Sequence, residues 1–86
     1  MKIKCSGIKY RQGFVEVGSG VHDGFVNLEV WTVQPDSSNF ESASELAEVP
    51  EHEISSNSEI ELDVEQAKSM VAEIQKAIFA IESGNA

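Results

Sequence analysis

Residues 58–81, SEIELDVEQAKSMVAEIQKAIFAI, change period in mid-run. Over Ser58–Leu62, Ile60 and Leu62 fall to one side and Glu59 and Glu61 to the other, the alternation of a half-buried strand. Beyond it, Val64, Ala67, Val71, Ile74, Ala77, Ile78 and Ile81 recur at three- and four-residue spacing, as along one helix face. Asp63 between them is a good N-cap, and Gln66 completes a capping-box-like pair. Gly84 is a stop signal. The pattern predicts a strand over 58–62 and a helix over 63–83, a rod of about 30 Å.

Upstream, residues 1–34 read as a β-meander. Ile3 and Cys5 alternate with Lys2 and Lys4, and Ile8 and Tyr10 continue after a bend at Ser6-Gly7. Phe14–Val17 reads as a second strand and Phe25–Val33 as a third, rich in β-branched and aromatic residues. His22-Asp23-Gly24 turns the chain between them. Residues 35–57 form an acidic, irregular connector, with about two helical turns over 41–48 before Pro50. The whole is expected to be one domain, 1–86, of the α+β class: a three- to four-stranded antiparallel sheet packed by one long C-terminal helix. An isolated helix and a bare sheet are each marginal in water, so each is expected to cover the other.

Period two also assigns faces. In the third strand Val26, Leu28 and Val30 form a purely apolar set, expected to face the helix. Phe25, Asn27, Glu29, Trp31 and Val33 then face outward, joined by Phe14 and Glu16 of the second strand. Two readings of this outer face stay open. The connector folds back over it with Phe40, Leu46 and Val49, since monomers seldom leave large apolar patches bare. Alternatively it docks on a partner or on a second copy, with aromatic residues inside an acidic rim.

Charge sharpens the second reading. Six Lys and Arg stand against fifteen Asp and Glu, a formal net charge of −9. From Asp36 to Glu65 the chain carries ten acids and no Lys or Arg. That argues against direct binding of nucleic acid or an anionic membrane and favours a protein partner with a basic surface. Glu59 and Glu61 on one strand face would sit about 6.7 Å apart, near two phosphate rises along a DNA strand. Asp63 and Glu65 continue the series. Two plainer readings compete: a solvated strand face, or pairing with Lys2 and Lys4 if strand 58–62 lies beside the first strand.

Enzyme chemistry finds little purchase. His22, His52 and Cys5 are the only imidazoles and thiol, and no C-x-x-C, H-E-x-x-H, EF-hand, P-loop or G-x-S-x-G spacing occurs. Glu51-His52-Glu53 lacks anything to fix its geometry, and Cys5 reads as a core-facing strand residue. No catalytic residue, cofactor or metal site is expected. With one cysteine, no leader and no membrane-spanning run read in the chain, the expected setting is cytoplasmic.

The run Ile60-Glu61-Leu62-Asp63-Val64-Glu65-Gln66-Ala67 resembles the strand–cap–helix ending common in small phage and mobile-element proteins of unknown function. In size and acidity the chain is similar to anti-CRISPR proteins. That resemblance implies a protein-binding inhibitor, in some cases a nucleic-acid mimic, and carries over no functional residues. The expected function is a small non-enzymatic acidic protein-binding module that docks on or blocks a basic partner. The alternatives are a nucleic-acid-mimicking inhibitor of a DNA- or RNA-binding complex such as a CRISPR effector, and a homodimeric structural protein. The expected contact residues are Phe14, Phe25, Glu29, Trp31, Glu59, Glu61 and Glu65.

Overall fold

The third strand sits inside the sheet and pairs on both sides. In the computed structural model, which describes residues 1–84, four strands form one antiparallel sheet: β1 (Lys2–Cys5), β2 (Gly13–Ser19), β3 (Phe25–Val33) and β4 (Ile54–Asp63). Spatial order follows chain order, so β1 and β4 are the two edges. The connector holds a short helix, α1 (Ser38–Ser42), and two 3-10 turns at Leu46–Glu48 and Glu51–Glu53. The long helix, α2 (Val64–Glu82), ends the α+β fold and packs against the β3–β4 side of the sheet.

The strands depart from their expected bounds for local reasons. Ile8 and Tyr10 do not continue β1: a 3-10 turn at Lys9–Arg11 reverses the chain towards β2 and leaves both side chains exposed. β2 gains Gly18 and Ser19 by pairing with Asn27 and Val26. β4 begins at Ile54 rather than 58, because β3 offers it nine partners. Thr32 pairs with Ser56 but Val33 with Ile54, so Ser55 is an extra residue at a bulge. A one-residue slip flips the faces, and Ile54 thereby packs on the same core as Val33.

That core lies on the aromatic side of the sheet. Phe14, Val33, Phe40, Ala43 and Val49 are buried, with Trp31, Leu46 and Ile54 packed against them. The connector has folded back over the face expected to be outermost. Ser37 caps α1 by accepting from the Phe40 N–H at 3.2 Å. Lys4 reaches across from β1 and donates to the Ala43 carbonyl at 2.6 Å, with its ammonium 4.7 Å from the Phe40 ring centre. Glu53 accepts from Ser37 and, at 2.9 Å, from Asn39, tying the two ends of the connector together.

The opposite face, expected to be the interior, is the barer one. Ile3, Cys5, Val17 and Ile60 are exposed there, and no residue of α2 is buried. Cys5 is therefore a surface residue of an edge strand, not a core residue. At the junction β4 ends at Asp63 and α2 starts at Val64 with no residue between, and the helix touches β3 and β4 without burying any of its residues. Asp63 accepts from the Gln66 N–H at 2.8 Å and Gln66 returns the bond to the Asp63 N–H at 3.0 Å, which fixes the start of the helix. Gly84, at φ 76°, follows its end, in a conformation that suits glycine. No helix of the described residues is long and apolar enough to cross a membrane.

Candidate protein-binding face

Antiparallel register lines up one row across all four strands. Lys2 pairs with Glu16, Glu16 with Glu29, and Glu29 with Glu59. Directly opposite residues have Cβ atoms about 4.5–5.5 Å apart, and like charges so placed destabilise the sheet. Three carboxylates thus stand side by side, with a single ammonium at one end. The next row runs Gly18, Asn27, Glu61 on the same face.

Each carboxylate has a donor, and only one donor is a lysine. Lys2 Nζ lies 3.4 Å from Glu16 Oε2, both side chains about one-third exposed, a pair worth at most about 1 kcal/mol. Asn57 Nδ2 donates to Glu29 at 3.0 Å and Asn27 Nδ2 to Glu59 at 2.9 Å. His22 Nδ1, on the β2–β3 turn, is 2.7 Å from Glu61 Oε1. Among the described residues no other Lys or Arg comes within ion-pair distance of Glu16, Glu29, Glu59 or Glu61. The idea that Lys2 and Lys4 neutralise Glu59 and Glu61 fails on topology, since β1 and β4 are opposite edges.

Asn27 adds a second cost at the same place. It is 9% exposed, and its Oδ1 is buried without a hydrogen-bond partner. Turning the amide over would set that oxygen against the Glu59 carboxylate, so the Nδ2 bond holds it as it is. A buried orphan acceptor costs about 1–3 kcal/mol. Like-charge pairs and an unsatisfied amide are therefore concentrated at one end of one sheet face.

The expected contact residues separate into two groups. Phe14 is 1% exposed beneath Phe40, and Trp31 is half-buried, with Lys2 Nζ 5.4 Å from its ring centre. The connector occupies the place over them that a partner was expected to take. Phe25, 44% exposed, stays open on the face that carries Glu29, Glu59 and Glu61. Glu65 belongs to the first turn of α2, where it pairs with Lys68 at 3.6 Å, apart from the row. Glu16, Asn27 and Asn57 complete the site but were not singled out from sequence. The parity of β2 marked Glu16 as outward; only the register shows that it stands beside Glu29.

Between the start of β1 and the connector runs an open groove of about 580 Å³, lined by Lys2, Glu16, Ser44, Glu45 and Leu46. It continues the acidic row towards the connector. Glu48 caps the turn there. The Ser44 hydroxyl, then the Ser44 and Glu45 backbone N–H groups, donate to its carboxylate and hold its pKa below the ordinary glutamate value.

The residues considered for catalysis are dispersed. Cys5 pairs with Gly13, at the far end of β2 from the turn that carries His22. His52 is exposed, and its neighbour Glu53 is engaged in anchoring the connector. Among the described residues no group of three or more His, Cys, Asp or Glu is placed to hold a metal ion. No family model, curated protein or solved structure matches this chain.

Proposed function

We propose that the protein is a non-enzymatic binding module that docks its acidic sheet face on a basic surface of another protein, occluding or scaffolding it in the cytoplasm. The row Glu16–Glu29–Glu59 carries this reading. A solvated face needs scattered charge to stay soluble. It does not need three carboxylates directly opposite one another, where each weakens the pairing of the strands. Lys or Arg side chains of a partner, laid along the row, convert that repulsion into charge-assisted hydrogen bonds. Phe25, four positions along β3 from Glu29 on the same face, supplies an apolar contact, and the net charge of −9 speeds the approach of a basic partner.

Nucleic-acid mimicry is the second reading. It is favoured by Glu59 and Glu61 on one face of β4, about 6.7 Å apart along the strand. It is weakened by His22, which occupies Glu61. The two readings differ in which acids matter. Immobilised protein is used to capture partners from a host lysate at low and high salt, and the captured protein is then titrated with variants. Docking through the row requires Glu16→Gln with Glu29→Gln to weaken binding at least tenfold. Mimicry requires Glu61→Gln with Glu65→Gln, both outside the row, to do so, and nucleic acid to displace the protein from its partner. Undiminished binding by both double variants, each shown to be folded, contradicts both readings.

A further inference from the structure

One chain leaves two complementary apolar surfaces bare. On α2, Val71, Ile74 and Ile78 follow one another at helical spacing and are each 48–54% exposed. On the sheet, Val17 and Ile60 flank Leu28 in one cross-strand row, on the side away from the connector. They are 54% and 61% exposed. The molecule measures 39 × 37 × 18 Å. Sheets and their covering layers stack about 10 Å apart, so 18 Å holds the sheet and the connector but no helix laid across as a further layer. The radius of gyration, 14.8 Å, exceeds the roughly 12 Å of a compact domain of this length.

We propose that the sheet face opposite the connector is the interface with a second copy of this chain, the α2 of each copy lying across the sheet of the other. Three observations select a second copy over any other occupant. The first is complementarity: a helix stripe about 28 Å long meets strands β3 and β4 that span about 30 Å. One chain supplies both surfaces, and a two-fold axis pairs each with its complement. The second is the junction at Asp63–Val64, with no linker residue between: α2 touches β3 and β4 of its own sheet but buries none of its residues there, so its stripe is left for a neighbour. The third is area. Val64, Val71, Ile74, Ile78 and Ile81 on the helix and Ile3, Val17 and Ile60 on the sheet are each 48–66% exposed, two apolar surfaces that a dimer would bury together and that together approach one side of a standard interface, about 800 Å². Charge permits the pairing as well: Glu16, Glu29 and Glu59 lie on the other face of the sheet, so two chains of −9 meet without apposing their acidic rows.

Sedimentation velocity on the full chain at tens of micromolar tests the proposal. The expected mass is twice 9.4 kDa. Ile74→Glu and Ile60→Glu are each expected to return it to the single-chain mass, whereas Glu29→Gln, on the opposite face, is expected to leave the dimer intact. Because a dissociated variant could also unfold, the arrangement is read independently by disulfide trapping. Copies bearing Ile60→Cys are mixed with copies bearing Ile74→Cys, all with Cys5→Ser. A mixed disulfide is expected between them, and none when Glu51→Cys on the connector side replaces Ile74→Cys. A single-chain mass for the unaltered protein, a dimer that survives both glutamate substitutions, or a mixed disulfide no stronger than the Glu51→Cys control overturns the proposal.

Discussion

Phe40 meets Phe14 edge-on, with ring centroids 5.4 Å apart and ring planes at 76°. This contact decides which side of the sheet is the interior, because it fastens the connector over the aromatic face. Both rings are almost wholly buried. Phe40→Ala is expected to cost about 3–5 kcal/mol, a large part of the stability of a chain this short. Urea unfolding measures the loss, and Trp31 fluorescence is expected to shift to the red as the connector lifts. An unchanged midpoint and an unchanged spectrum would show that the connector is held elsewhere.

Gly13 stands opposite Thr32 at the close of the β2–β3 ladder, where a Cβ would lie 1.9 Å from the Trp31 carbonyl oxygen. Backbone on both sides leaves nothing flexible to give way. Gly13→Ala is expected to destabilise the fold by at least about 1–3 kcal/mol, the range for overpacked sites. A thermal midpoint equal to that of the unaltered protein would contradict the close approach.

The acidic row sets function against stability. Glu29 faces a carboxylate on each side, Glu16 and Glu59. Glu29→Gln keeps an acceptor for Asn57 and removes both repulsions. It is expected to stabilise the protein by about 0.5 kcal/mol while weakening partner binding. Chemical denaturation reads the first effect. A loss of stability instead would mean that the row is locally compensated and has no cost for a partner to offset.

The connector carries one pH-dependent anchor. The hydroxyl of Ser44 and the backbone N–H groups of Ser44 and Glu45 hold the Glu48 pKa below the ordinary glutamate value. A depressed folded pKa contributes stability above the unfolded value and loses it as pH falls through the folded one. The Leu46–Glu48 turn is therefore expected to keep its anchor at neutral pH and release it only in acid. Carboxyl NMR titration is expected to place Glu48 below the ordinary glutamate value, and Ser44→Ala to move it back up. Titration of Glu48 at the ordinary glutamate value would show that these donors do not anchor the turn.

Much of the fold is legible in the sequence, and the exceptions have physical causes. Period two in Phe25–Val33 and period 3.6 after Val64 mark elements that local patterning alone determines, and Asp63 with Gln66 marks the boundary between them. Parity also places Phe14, Glu16, Glu29 and Trp31 on one face, where the structure has them. What parity cannot say is which face is covered. That depended on Phe40, Ala43 and Val49, which lie in a segment without periodicity. It depended equally on how far α2 covers the sheet: the helix packs against β3 and β4 as expected, yet Val71, Ile74 and Ile78 stay exposed. Of the row, Glu29 and Glu59 were singled out from sequence, Glu16 was only placed outward by parity, and the row itself was not legible. Glu16, Glu29 and Glu59 are 13 and 30 positions apart in the chain, and only the hairpin registers bring them side by side.

Charge alone draws any acidic protein to a polycation, so docking through the row rests on the arrangement of its carboxylates rather than on their number. Two triple variants raise the net charge equally: Glu16, Glu29 and Glu59 to Gln in the row, or Glu65, Glu73 and Glu82 to Gln along α2. Fluorescence anisotropy with a labelled arginine-rich peptide, at physiological ionic strength, compares them directly. The row variant is expected to lose at least tenfold in affinity while the helix variant stays within about twofold of the unaltered protein. Equal losses in the two would contradict the claim, and leave the acidic face as no more than its share of the total charge.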